Sequence, residues 1–181
     1  MLDDNGPSLD ILSQVVSGFG VKQLHRAESV ADAQSLIKTK TFDLIISDVQ
    51  MPVTDGIEFI EWLRREGGDA NRFIPVILVT GHTRTSQIVK IRDAGANYVV
   101  AKPITPKVLL ERIFWVARED RAFIECPTFV GPDRRFKHMG PPPGTDGRRK
   151  DDLPAEVGEA QTPNLSDDEI SNMMRPAKVQ I

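Results

Sequence analysis

The stretch Phe42-Asp43-Leu44-Ile45-Ile46-Ser47-Asp48 is an apolar run of strand length that stops on a carboxylate. Leu44, Ile45 and Ile46 show no polar alternation, which is the pattern of a strand buried on both faces, and such strands belong to parallel sheets covered by helices on both sides. Asp48 then stands at the carboxyl edge of the sheet, where ligands bind in open α/β folds. A second run, Ile74 to Thr80, is rich in β-branched residues and ends on a hydroxyl just before Gly81. Pro75 falls at its start, where a missing N–H does no harm to the ladder.

Around these two runs, helical and extended patterns alternate to about residue 120. Leu9, Leu12, Val15, Val16 and Phe19 recur at helical spacing, with Pro7 suited to the first turn and Gly18 and Gly20 to the stop. Val21 to His25 reads as a short strand, Val30 to Lys38 as a second helix, and Ile57 to Arg65 as a third. Ser86 to Ala94 gives a fourth helix, Asn97 to Ala101 a strand, and Pro106 to about Arg121 a fifth helix with Thr105 as its N-cap. The expected fold is α/β, a doubly wound parallel sheet spanning residues 1–121.

Composition excludes several classes. The chain has 181 residues and a formal net charge of −3, enough for one ordinary core and a tail. Its apolar runs are far shorter than a membrane span and no signal-peptide pattern opens it, so a cytoplasmic location is the expectation. The single cysteine, Cys126, allows neither an internal disulfide nor a zinc cluster.

The strand ends carry groups that could converge. Asp3 and Asp4 precede the first helix, Asp48 ends one central strand, Thr80 ends the next, and Lys102 ends the last, followed by Pro103. Clustered carboxylates repel unless a cation neutralises them, and Mg²⁺ prefers oxygen ligands completed by phosphate oxygens. A lysine supplies a point charge to a phosphoryl group and a threonine hydroxyl can donate to it. In that setting Asp48 is a nucleophile that forms an aspartyl phosphate.

With Met51-Pro52 and Gly56 after Asp48, Thr80-Gly81 and Lys102-Pro103, residues 1–120 resemble the receiver domains of two-component response regulators. The resemblance implies a flavodoxin-like five-stranded sheet in the order 2-1-3-4-5, and a cis Lys102-Pro103 bond. It implies that Asp48 accepts a phosphoryl group from a histidine kinase or histidine phosphotransfer protein. Asp4, Asp48 and the Gln50 backbone carbonyl would hold Mg²⁺ directly, with Asp3 acting through water. Thr80 and the Gly81 N–H would contact the phosphoryl oxygens, and Lys102 would pair with the same group. Self-phosphorylation from a phosphodonor and self-dephosphorylation would be the only catalysis. His82 is read as a loop residue that tunes access to the phosphoryl group.

Two departures stand out. Only Met1 and Leu2 precede the acidic pair, so the first strand is truncated; unpaired buried ladder groups cost about 1 to 3 kcal/mol each. The expectation is a start downstream of the full strand or a marginally stable chain. The aromatic that the family places three residues before the lysine is Val99 here, and Tyr98 points to the opposite face.

Beyond residue 121 the character changes: eight of the thirteen prolines lie from Pro127 onward, and 122–164 reads as a Pro/Gly-rich linker or disordered tail. Ser166 and Glu169 form a capping box, Leu165 and Ile170 a hydrophobic staple, and Ile170, Met173 and Met174 one apolar face. Residues 165–175 are therefore expected to form a short helix that folds on a partner or on its own receiver, with 176–181 a disordered end. No output module fits in this length, so the reading is a stand-alone receiver that binds a downstream protein. The face of the fourth and fifth helices would serve that partner or a homodimer. Two alternatives stand beside it. The basic clusters Arg134–His138 and Arg148–Lys150 could bind nucleic acid, which the neighbouring Asp133, Asp146, Asp151 and Asp152 and the acidic balance disfavour. An aspartate-nucleophile phosphatase of the haloacid dehalogenase type would need an aspartate where Gln50 stands.

Overall fold

The computed structural model describes residues 1–119, 121–134 and 166–174, with 171–174 described as helix alone. In chain order the elements are α1 (Gly6–Gly18), α2 (Val30–Thr39), β1 (Ile45–Asp48), α3 (Gly56–Glu66), β2 (Val76–Thr80), α4 (Thr85–Asp93), β3 (Tyr98–Ala101), α5 (Pro106–Ala117), β4 (Phe123–Cys126), β5 (Phe129–Pro132) and α6 (Asp167–Met174). Strands β1, β2 and β3 form a parallel sheet in that order, with Ile45 beside Val76, Ile77 beside Tyr98 and Thr80 beside Ala101. Every residue of β1 and β2 is buried, as the unbroken apolar runs require.

Local chemistry sets the helix ends. The Asn5 side chain accepts from the Ser8 N–H at 3.0 Å and Pro7 lies in the first turn, which starts α1. Asp55 and Glu58 make a reciprocal capping box on α3. Thr105 caps α5 as expected, accepting from the Val108 N–H at 3.3 Å. α5 ends at Ala117, short of the predicted Arg121.

The described sheet has three regular strands, not five. Leu2 makes isolated parallel bridges to Ala27 on one side and Ser47 on the other, so the positions beyond β1 are held by single pairs. Its N–H donates to the Ile46 carbonyl at 2.9 Å, and its carbonyl accepts from Asp48 N–H at 2.8 Å. On the other side the Met1 carbonyl accepts from Ala27 N–H at 2.9 Å, and the Met1 nitrogen donates to the His25 carbonyl at 2.7 Å. The strand predicted at Val21–His25 does not form; the parallel pairing on that side is the single Leu2–Ala27 bridge. Leu2 compensates with its side chain: it is 2% exposed in the core, beside Val16, Ile46 and Phe59 in the same cluster.

The linker expected from residue 122 begins instead as an antiparallel hairpin, β4 with β5, turning at Pro127-Thr128. A two-stranded hairpin is marginal by itself; this one is docked. Phe123 meets Phe73 edge-to-face at 5.1 Å and lies under the Arg64 guanidinium at 4.9 Å, while Arg72 pairs with Glu125 at 2.6 Å. The backbones touch at Gly131 and Gly95, where a side chain on Gly131 would come within 2.7 Å of the Gly95 Cα. Arg64 is fully buried and has no carboxylate partner among the described residues, yet it donates to the carbonyls of Arg72, Ile74 and Gly95 and to Asn97 Oδ1. Burial lowers its pKa to about 9. The remaining linker from 135, Leu165 of the staple, the end at 176–181 and all but Arg134 of the basic clusters lie outside the described residues.

Two substitutions test this reading. Leu2→Ala is expected to cost about 2 to 5 kcal/mol in chemical denaturation, the range for a buried leucine; a loss below ~1 kcal/mol would show that the single-bridge position contributes little. Val53 is fully exposed and holds φ at 72°, a strained geometry for a β-branched residue. Val53→Gly is therefore expected to raise stability by about 1 kcal/mol.

Candidate functional site

Three parallel strands and the start of α1 bring their polar ends to one sheet edge. Asp48 is the last residue of β1, Lys102 follows β3 directly, and Asp3 and Asp4 sit one turn before α1. The Lys102 ammonium lies 3.0 Å from Asp48 Oδ1 and 3.5 Å from Asp3 Oδ2. Asp3 is further fixed by the Asn5 N–H, which donates to its carboxylate at 2.9 Å. One carboxylate oxygen from each of Asp3, Asp4 and Asp48 falls within 4.8 Å of the others; Asp3 and Asp48 are buried and Asp4 is exposed. The bond Lys102-Pro103 is cis.

The electrostatics follow from that crowding. Burial pushes the Asp48 carboxyl above its ordinary range; Lys102 opposes the shift, and the neighbouring Asp3 charge adds to it. Burial by itself pulls the Lys102 ammonium down, but Asp48 and Asp3 outweigh it and hold it above the usual lysine value. One ammonium thus faces three carboxylates, and the excess negative charge is a demand for a cation. Hard oxygen donors clustered at this spacing suit Mg²⁺.

Thr80 is fully buried and its hydroxyl is engaged locally, donating to the His82 carbonyl at 3.1 Å and accepting from the His82 N–H at 3.0 Å. Its carbonyl accepts from the Lys102 N–H at 2.8 Å, which ties the ends of β2 and β3 together. Gly81, Gln50 and His82 are exposed beside this edge. Tyr98 is buried under α5, with its ring 5.0 Å from Trp115 and 5.0 Å from the Arg112 guanidinium, and Val99 is 1% exposed. Neither position offers a free aromatic beside Thr80.

Two contributors carry no chemistry that the sequence reveals. Ser47 donates its hydroxyl to the Asp48 carbonyl at 2.8 Å from a fully buried position. Gly56, noted only as part of a motif, packs so closely that a Cβ there would lie 2.2 Å from the Asp48 carbonyl oxygen. Beside the carboxylates a cavity of about 310 Å³ opens between Ile11, Leu12 and Val15 of α1 and Ile104, Pro106 and Leu109 near α5. Among the described residues no helix is long and apolar enough to cross a membrane.

This arrangement of sheet, acidic edge and lysine is that of a signalling receiver, and residues 1–114 match the response regulator receiver domain family. The chain belongs to that family. It is 27% identical over 113 residues to the chemotaxis protein CheY of Pseudomonas aeruginosa, covering 62% of this chain and 90% of that one. It is 25% identical to CheY-3 of Vibrio cholerae, covering 62% and 85%. Among solved structures, the chemotaxis response regulator CheY4 of Vibrio cholerae superposes with a TM-score of 0.59 at 28% identity, over 64% of this chain and 93% of that one. The receiver domain of a histidine kinase from Syntrophus aciditrophicus gives 0.58 at 26% identity, over 70% and 95%.

Two outcomes are expected from this geometry. Gly56→Ala forces a Cβ into the Asp48 carbonyl, so it is expected to lower the melting temperature and shift the Asp48 backbone resonances in NMR. For Asp48 the sign is set by its raised pKa: the folded state holds the proton more tightly than the unfolded chain, so the carboxylate lowers stability above its ordinary range and the loss disappears on acidification. In metal-free buffer at neutral pH, Asp48→Asn is expected to melt above wild type, with the gap closing as pH falls through the carboxylate range. Added Mg²⁺ is expected to stabilise wild type more than Asp48→Asn.

Proposed function

We propose that the protein is a phosphorylation-dependent switch in which Asp48 accepts a phosphoryl group from a histidine kinase or histidine phosphotransfer protein. The observation that carries this is the Lys102 ammonium 3.0 Å from an Asp48 carboxylate that is buried beside Asp3. A carboxylate oxygen of Asp48 attacks phosphorus, the bond to the donor imidazole nitrogen breaks, and the leaving imidazole keeps the bond's electron pair. Lys102 is placed to follow the charge from the carboxylate to the phosphoryl oxygens. The Gly81 N–H and the Thr80 hydroxyl, once turned from His82, supply donors to the same oxygens. Mg²⁺, held by Asp4, Asp48 and the Gln50 carbonyl with Asp3 behind them, would neutralise the excess carboxylate charge and the incoming phosphoryl group.

Turnover ends when water attacks the same phosphorus and the carboxylate leaves. Gln50, where the haloacid dehalogenase type would need an aspartate, argues against hydrolysis of outside substrates, so the reading is a switch and not a phosphatase. The apolar cavity beside Asp48, with Ile11 of α1 65% exposed at its rim, suits docking of a donor protein. Output through protein contact is favoured over nucleic acid: Arg134, the one described member of the basic clusters, is already paired with Asp93 and stacked on Phe129 at 4.0 Å. With Tyr98 locked under α5, readout is expected to run through strand β3 and its flanking helices.

Incubation with acetyl phosphate and Mg²⁺ followed by intact mass measurement tests the proposal. Wild type is expected to gain one phosphoryl mass and Asp48→Ala none. Lys102→Ala is expected to gain it at least about tenfold more slowly, the scale on which one charge-assisted contact acts. Equal gain by Asp48→Ala would refute the assignment.

A further inference from the structure

Native interiors rarely keep a void larger than a water molecule, yet a cavity of about 310 Å³ lies between the sheet and the pair α1 and α5. Its floor is core: Leu2, Val79 and Leu109 are each at most 3% exposed. Its walls include Leu12 and Val15 of α1 and Ile104 ahead of α5. Leu12 and Val15 stay half-buried although Leu9 and Val16 on the same helix are buried, because they face this space. An apolar lining gives water few partners, and an engineered apolar cavity of about 150 Å³ in another protein stays dry and takes benzene.

Polar groups gather at one end only. Asp3, Asp48 and Lys102 line the cavity where it meets the sheet edge, and the half-buried Ser8 is the one other polar residue of the lining. An occupant therefore has an apolar body and one charged end. Under the phosphoacceptor reading, on which this inference rests, the charged end is a phosphoryl group and the apolar body is what leaves. The lining narrows the leaving group further. The carboxylates accept from Lys102 and the Asn5 N–H, and Lys102, held between Asp48 and Asp3 at 3.0 and 3.5 Å with its pKa raised, keeps its protons. Nothing in the lining is placed to protonate a departing alkoxide, whereas a carboxylate leaves as a stable anion and needs no proton.

We infer that the cavity is a subsite for the apolar acyl group of a small-molecule donor, an acyl phosphate of about four to seven carbons, benzoyl phosphate included. A carboxylate oxygen of Asp48 attacks phosphorus, the bond from phosphorus to the acyl oxygen breaks, and the acyl group departs as a carboxylate with that electron pair. No proton is taken up or released. A protein donor meets the rim at Ile11; the space beneath lies between the helix layer and the sheet and admits only a small body. Each methylene buried there is expected to raise the rate of transfer about threefold to fourfold.

The test incubates the full chain and Mg²⁺ with acetyl, butanoyl and benzoyl phosphate at equal concentrations below saturation. Phosphoryl gain is followed by intact mass, with Asp48→Ala as the blank. Wild type is expected to react with butanoyl phosphate about tenfold faster than with acetyl phosphate, the effect of two methylenes. Val15→Phe, which fills the cavity, is expected to bring that ratio down to about one, and Leu12→Ala, which widens it, to carry the preference on to hexanoyl phosphate. A second readout needs no transfer. With Mg²⁺ present, butylphosphonate is expected to shift the methyl resonances of Leu12 and Ile104 in wild type but not in Val15→Phe, and methylphosphonate is expected to leave them in place. If Val15→Phe fails to melt cooperatively, Leu12→Ala and the wild-type phosphonate shifts decide. Equal rates across the acyl series in wild type, a ratio that survives filling, or unmoved methyl resonances would each overturn the inference while the phosphoacceptor reading stands. No gain with any donor would overturn both.

Discussion

Three carboxylates share one edge of a parallel sheet with a single ammonium, and the structure around them is organised to hold that imbalance. Asp3 is fixed from two sides, by the Asn5 N–H and by Lys102, and Asp48 is anchored through its backbone by Leu2 and Ser47. Neither carboxylate can turn to solvent to relieve the repulsion, since both are below 10% exposed. Charge held in this way is what a divalent cation would neutralise. Gly56 then closes the backbone over Asp48 at a distance no side chain would allow.

Much of this was legible in the residues. Unbroken aliphatic runs located β1 and β2, and because strand ends of a doubly wound sheet converge, Asp48 and Lys102 could be placed together before their distance was known. The Thr105 cap was legible because capping is a local interaction, whereas the Asn5 and Asp55 caps went unnamed although the same local chemistry makes them. What escaped was non-local. The Val21–His25 stretch has a composition that suits a strand, yet the pairing on that side lies beyond it, at Ala27. The β4–β5 hairpin carries two prolines and sits in a proline-rich stretch, and only its docking on Arg64, Phe73 and Gly95 explains why it forms. Arg64 itself reads as a surface charge on a helix, since nothing in its neighbours reveals five carbonyl and amide contacts from distant segments.

Thr80 shows a different limit. Its position at the end of β2 followed from the strand pattern, but its hydroxyl is bound to the backbone of His82, a local turn that competes with any role toward a phosphoryl group. A two-state hydroxyl of this kind, bound locally at rest and released to a phosphoryl oxygen, would give the switch a moving part that the buried Tyr98 cannot supply. The C-terminal region extends the same theme. Its hairpin braces the end of the sheet opposite the carboxylates, and α6 covers the strand that leads into Lys102, so both ends of β3 are under the influence of chain beyond the family's boundary at residue 114.

The central claim is that Asp48 is the phosphoacceptor. Borohydride reduction of the acetyl-phosphate-treated protein converts an aspartyl phosphate to homoserine, and peptide mass spectrometry then reads the position. The account predicts homoserine at residue 48 alone, formed only when Mg²⁺ is present. Homoserine at Asp43 or Asp55, or its absence from position 48 in a protein that has gained phosphoryl mass, would contradict it.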